Sequence, residues 1–240
     1  ERESHRQGRS RLIPVTAEAM NATIGGGKAG VLKPGDAVRA ALFDYGGVIA
    51  EEGFRNGLIA LAREQGLDAA EMPRQGADAV YDSGFVVGEG SAADFWALLR
   101  QRTGLHGEDA ELTRRILDGF VVRPWMIEHV RRLGRRGIVT GILSDQTHWL
   151  DELDRRDHFF GEFRRVYNSF HLGKGKRDAS LFSDVAEDLR LGASAVLFID
   201  DDAGNVRRAR DAGFRTIHYT DRQSFEGALS VVLPGGQSSR

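Results

Sequence analysis

LFDYGGVIA (residues 42–50) joins a short apolar run to an aspartate and then to two glycines. Together with VRA before it, the run has the length of a buried strand, and the glycine pair breaks it at once. Asp44 is then the first acidic residue at the strand's carboxyl end. Four more runs follow the same plan downstream: IVTGILS (138–144), RVYNS (165–169), AVLFID (195–200) and FRTIHY (214–219). Between them lie helix-like stretches: PWMIEHVRRLG (124–134), HWLDELDRR (148–156), DASLFSDVAEDLRLG (178–192), NVRRARDAG (205–213) and SFEGALSVVL (224–233). Strands alternating with helices predict an α/β protein, a Rossmann-like parallel sheet with helices on both faces.

Residues 51–122 interrupt that alternation. They contain helical patterns and no convincing strand: GLIALAREQG (57–66), DFWALLRQRTG (94–104) and ELTRRILDGF (111–120). Ser91, three residues before Asp94, predicts a capping box, and Gly104 a helix stop. Phe95, Trp96 and Leu99 fall on one helical face and are expected in the core of this insert. The organisation expected is an N-terminal extension over 1–37, an α/β core over 38–50 and 123–234, a helical insert over 51–122 and a tail over 235–240. GGGKAG (25–30) lacks the Lys-Ser/Thr pair of a phosphate loop and reads as a linker, and the start at Glu1 reads as processed, tagged or truncated.

The composition excludes several functions. A formal charge of −2 from 33 basic and 35 acidic residues provides no global attraction to nucleic acid or an anionic membrane. No stretch reaches the length of a membrane span and the N-terminus has no secretory apolar run, so a cytoplasmic location is expected. With no cysteine there are no disulfides, thiolate nucleophiles or thiolate metal sites. Seven histidines show no zinc-binding spacing.

In parallel sheets ligands bind beyond the carboxyl ends of the strands, so the polar residues there carry the information. They are Asp44 after the first strand, Ser144 after the second, Asp200 and Asp201 after the fourth, and Lys176 in the loop after the third. Carboxylates gathered at one crevice repel one another, and a hard divalent ion with oxygen ligands, Mg²⁺, is the natural remedy. Lys176 and the Ser144 hydroxyl suit non-bridging phosphoryl oxygens.

This order resembles the haloacid dehalogenase superfamily over roughly residues 38–220. LFDYGGVI resembles its first motif, ILSD (142–145) its second, SFHLGKGKRDASLF (169–182) its third and LFIDDDAGNV (197–206) its fourth. The resemblance implies Asp44 as nucleophile, Ser144 and Lys176 as phosphoryl-binding groups, and a Mg²⁺ site of Asp44, the Gly46 carbonyl, Asp200 and Asp201. Asn205 is implied as support for the acidic loop. Residues 51–122, with GFVVGEGSAADFWALL (84–99), resemble the family's class I helical cap. The implied activity is a phosphatase for a small phosphorylated metabolite, such as a sugar phosphate, acting through an aspartyl phosphate.

The pattern departs from the family at Gly46, where most members carry a second Asp that protonates the leaving oxygen. A D-x-G-G start resembles a subset of the family that includes enzymes taken to be sugar-phosphate phosphatases. Without an acid, the rate should depend steeply on leaving-group pKa. Asp145, Glu51 and Glu52 are candidates to substitute as the acid but read first as solvated or structural charges, Asp178 as a helix N-cap and Asp202 as a turn residue. Three alternatives stand beside the phosphatase: an impaired relative that binds a ligand or protein without turnover, a 2-haloacid dehalogenase that needs no metal, and a phospho-accepting receiver, whose motif order is reversed. The substrate and oligomeric state are not legible.

Overall fold

The computed structural model describes residues 37–233. Expectations for the N-terminal extension up to residue 36 and for the tail lie outside the described residues. Five strands form one wholly parallel sheet in the order β3-β2-β1-β4-β5, with β1 Ala40–Phe43, β2 Val139–Ser144, β3 Arg165–Asn168, β4 Val196–Asp200 and β5 Arg215–His218. The strands are shorter than their apolar runs; β1 ends at Phe43, and the Asp44 amide still donates to the Ile199 carbonyl of β4 at 2.9 Å before the chain enters the glycine pair.

Successive residues of β1 face opposite sides, and both sides are buried. Ala41 and Phe43 join Ile142, Leu197 and Ile199 in one cluster, covered by α5 (Pro124–Arg135) and α10 (Arg222–Val232). Ala40 and Leu42 join Leu143, Val196 and Phe198 in the other, beneath α8 (Ser180–Leu189) and α9 (Ala203–Asp211). Helices on both faces are what a continuous apolar strand requires. The remaining core helices are α6 (Trp149–Asp157) and the single turn α7 (Ser169–Leu172).

Between β1 and α5 the chain forms four helices, α1 (Gly53–Glu64), α2 (Met72–Asp82), α3 (Ala92–Thr103) and α4 (Asp109–Asp118), with a 3-10 turn at Phe85–Val87. Ser91 and Asp94 close a capping box on α3, and Gly104 ends it in the left-handed conformation. Phe95, Trp96 and Leu99 are fully buried, in a cluster continuous with one face of the sheet. Trp149 of α6 makes the join, packing against Phe85, Phe95 and Trp96. The helical segment therefore shares its core with the sheet. No helix among the described residues is long and apolar enough to cross a membrane.

Candidate active site

Strand order determines which polar residues meet. β1 lies between β2 and β4; the chain runs from β1 through β2 to β3 on one side and then crosses to β4 and β5 on the other, and this reversal opens a crevice at the carboxyl end of β1. Asp44, Ser144 and Asp200 come from three adjacent strand ends, and Lys176 enters from the loop between α7 and α8. Asp44, Ser144 and Lys176 border a cavity of about 320 Å³ together with Gly46, Glu52 and Asp201, and Asp200 lies buried directly behind Lys176.

The contacts are short and specific. The Ser144 hydroxyl donates to Asp44 Oδ1 at 2.5 Å, and the Tyr45 amide donates to the same oxygen at 2.8 Å. Lys176 Nζ lies 3.0 Å from Asp44 Oδ2 and donates to Asp200 Oδ2 at 2.6 Å. Asp200 also accepts from the Asp202 amide at 2.7 Å and from Asn205 Nδ2 at 3.2 and 3.3 Å. Asn205 thus holds Asp200, while Asp202 caps α9 by accepting from the Asn205 amide. Arg208 fixes the surroundings, donating to the Lys176 carbonyl at 2.8 Å and to Asn205 Oδ1 at 2.5 Å.

Gly47 sits at φ +77°, and a Cβ there would fall 2.3 Å from Asp201 Oδ2. A glycine is required both by the backbone and by the approach of that carboxylate. Arg123 donates to the carbonyls of Gly47 and Val48, holding the glycine turn from α5's N-terminal side.

The electrostatics are unbalanced. Carboxylate oxygens of Asp44, Asp200 and Asp201 lie within 4.8 Å of one another, with the Lys176 ammonium in contact with two of the three residues. Burial raises the Asp44 carboxyl well above the usual range; Lys176 opposes this and Asp200 and Asp201 add to it. Asp201 is pushed up to about 6 by burial, then by Glu52 and Asp200. Burial would depress Lys176, but Asp200, Asp44 and Asp145 outweigh it and hold the ammonium charged. An all-oxygen donor set with surplus negative charge fits a hard divalent cation and offers nothing to a soft one. Asp44, Asp200 and Asp201 would hold it, and Gly46 borders the same space.

The three neighbouring carboxylates of the sequence reading take different places. Glu51 is bound by Arg123 at 2.8 and 2.9 Å and points to solvent. Asp145 accepts from the Lys176 amide at 2.8 Å and from the Tyr81 hydroxyl, which ties α2 to the loop after β2. Glu52 caps α1 and also borders the cavity; burial raises its carboxyl, against the Arg55 amide and charge. Asp178 is not the cap of α8: it accepts from the amide and hydroxyl of Ser180, so its turn precedes the helix and Ala179 takes the cap position. His148 and His171 pair with Glu152 and Asp151 and do not border the cavity.

Tyr81, Arg123 and Arg208 had no sequence signal of their own. Tyr81 lies under the Arg177 guanidinium, 3.7 Å from its ring centroid, at the rim of the same cavity.

A parallel α/β sheet with an aspartate, a hydroxyl, a lysine and an acidic pair at its carboxyl edge defines the class. The chain belongs to the haloacid dehalogenase-like hydrolases, whose family model matches residues 38–213. A bifunctional epoxide hydrolase 2 from Rattus norvegicus is 28% identical over 114 residues, which are 45% of this chain and 20% of that protein; the chain thus spans about a fifth of that relative. A HAD family enzyme from Bacteroides thetaiotaomicron, solved as the wild-type protein with magnesium and inorganic phosphate, superposes with a TM-score of 0.54 at 19% identity, covering 75% of this chain and 93% of that one. An L-2-haloacid dehalogenase from Xanthobacter autotrophicus superposes with a TM-score of 0.55 at 16% identity, covering 82% and 85%. At these identities the structural likeness shows the fold.

Proposed function

We propose that this hydrolase is a Mg²⁺-dependent phosphatase for a small phosphorylated metabolite, acting through an aspartyl phosphate on Asp44. The observation that carries the reading is the cluster of Asp44, Asp200 and Asp201 oxygens within 4.8 Å, with Lys176 bridging Asp44 and Asp200. Attack on carbon by a lone aspartate needs no such acidic pair, which favours phosphoryl transfer over the chemistry named for the Xanthobacter neighbour. The magnesium complex of the Bacteroides enzyme agrees with it.

In this reading Ser144 and the Tyr45 amide hold Asp44 Oδ1, leaving Oδ2 on the Lys176 side to meet phosphorus. The P–O bond to the leaving group breaks as the bond to Asp44 forms. Lys176 then offsets charge on the phosphoryl oxygens. A bound magnesium ion would neutralise the carboxylate cluster and the phosphoryl oxygens. Water next attacks phosphorus, releasing phosphate and restoring Asp44. Tyr81 and Arg55 of the helical segment, acting as a cap, and Arg177 of the loop before α8 border the opening where the rest of the substrate would lie.

The test is a panel of phosphorylated metabolites with Mg²⁺ and with chelator, using Asp44→Asn as control. Turnover is expected only with the metal, and the variant should lose on the order of 10⁶-fold in kcat, as nucleophile removal does elsewhere. Dehalogenation of a 2-haloacid that survives chelation would replace the phosphatase reading. Ligand binding without turnover by parent and variant alike would replace it with a binding module, the alternative that Gly46 favours.

A further inference from the structure

We infer that Glu52 supplies the acid and base function for which Gly46 has no side chain. The inference deepens the phosphatase reading and rests on it. A Cβ built on Gly46 would come 2.9 Å from Glu52 Oε2, with the Phe120 ring at 3.2 Å and Gln146 Nε2 at 3.7 Å framing the rest of the space. The carboxylate of Glu52 therefore occupies the place into which a side chain at position 46 would grow. Gly46 is not among the glycines with positive φ, so its backbone does not demand glycine. The atoms that crowd a side chain there are the Glu52 carboxylate and the Phe120 ring.

Glu52 is also held and aimed. Its Oε1 accepts from the Arg55 amide at 2.9 Å, fixing the side chain as the cap of α1, while Oε2 is its oxygen nearest Gly46. It borders one cavity with Asp44, Ser144 and Lys176. The other two carboxylates near the first motif are committed elsewhere, Glu51 to Arg123 and Asp145 to Tyr81 and the Lys176 amide. Position, rather than proton affinity, distinguishes Glu52.

The chemistry balances. As Asp44 bonds to phosphorus and the P–O bond to the alcohol breaks, the carboxyl of Glu52 gives its proton to the leaving oxygen. The resulting carboxylate takes a proton from the water that attacks the aspartyl phosphate, the P–O bond to Asp44 breaks, and Glu52 ends protonated as it began. The overall change is phosphomonoester plus water to alcohol plus phosphate. The steep leaving-group dependence expected from Gly46 alone then belongs to variants of Glu52 and not to the parent chain.

The experiment measures kcat/KM over aryl and alkyl phosphates of graded leaving-group pKa, with Mg²⁺, for the parent, Glu52→Gln and Glu52→Ser. Gln keeps an oxygen for the Arg55 amide and Ser is a good helix cap, so both preserve the structural role while removing the proton. A shallow slope is expected for the parent. In both variants the loss should be about 10²-fold or more for alkyl leaving groups and within about threefold for nitrophenyl, as loss of general acid help predicts. Intact-protein mass should show phosphorylated Asp44 accumulating in Glu52→Gln with nitrophenyl phosphate, because water is no longer activated; a helix cap alone would not produce this. Gly46→Asp/Glu52→Ser moves the carboxyl to the neighbouring residue and should return the shallow slope. Variants that keep the parent's slope with no trapped phosphoenzyme overturn the role of Glu52 while the phosphatase reading stands. A double variant as steep as Glu52→Ser overturns the equivalence of the two positions. A parent that hydrolyses none of the series removes the phosphatase reading and this inference together.

Discussion

The sheet edge and the helical segment carry their charges in opposite ways. At the edge, Lys176 and Asp200 are 1% and 0% exposed and contact each other at 2.6 Å. On α4, Arg114 and the carboxylates it reaches, Glu111 and Asp118, are all more than half exposed. Geometry alone makes the two sets look alike, since all the distances are ordinary ion-pair distances. Solvation separates them. A buried pair sacrifices hydration and depends on its partner, whereas an exposed one trades one solvated state for another. The edge is thus arranged for chemistry at the expense of stability, and the helices carry charge at little energetic consequence.

The largest effect is expected from breaking the buried set. Lys176→Met keeps much of the side-chain length but strands Asp44 and Asp200 without their ammonium. Removal of one partner from a buried pair costs roughly 3–5 kcal/mol, so denaturant unfolding in chelator should show a loss of that size. Adding Mg²⁺ should recover part of it, because a cation bound by the folded cluster stabilises by mass action. A loss under about 1 kcal/mol would place this pair with the surface ones.

The same distinction explains what the sequence made legible. Five apolar runs named the strands, and the polar residue ending each central run named the site, because strand ends are local features and a parallel sheet brings them together. The first, second and fourth runs supplied Asp44, Ser144, Asp200 and Asp201, now seen side by side. What stayed hidden was non-local or carried by small residues. Helix α2 escaped notice because its buried face includes Gly76 and Ala79, which give little apolar signal; a Cβ on Gly76 would fall 2.2 Å from Leu58 Cδ1 of α1. With α2 unread, Tyr81 and its bond to Asp145, 64 residues away, were out of reach. Glu51 and Glu52 read alike, as candidate acids but first as solvated or structural charges, and only folding separates them, one to Arg123 and the other to the cavity.

A smaller effect sharpens the comparison from the helical side. Ser91 accepts from the Asp94 amide at 3.2 Å while Asp94 accepts from the Ser91 amide at 2.9 Å. Ser91→Ala should cost about 1 kcal/mol. Helix α3 contributes Phe95, Trp96 and Leu99 to a cluster shared with the sheet, so the loss should appear in one unfolding transition. A second, earlier transition would mean that the helices melt as a unit, and the contrast would then lie between two folding units instead of two environments.

The smallest effect belongs to Arg114. It donates to Glu111 at 2.7 and 3.0 Å and to Asp118 at 2.7 Å, a spacing of three and four residues along one helix. Both partners are already exposed, so truncation leaves neither in a medium poorer than water. Arg114→Ala should therefore change stability by no more than about 0.5 kcal/mol, and less in high salt, where screening shortens the reach of each charge. Alanine also has the higher helix propensity, which offsets part of the lost pairing. Set against Lys176→Met in the same denaturant titration, the pair of variants measures what burial adds to ion pairs of similar length. Should Arg114→Ala cost as much as Lys176→Met, solvent exposure would have to give way to another explanation, such as structure that Arg114 retains in the unfolded chain.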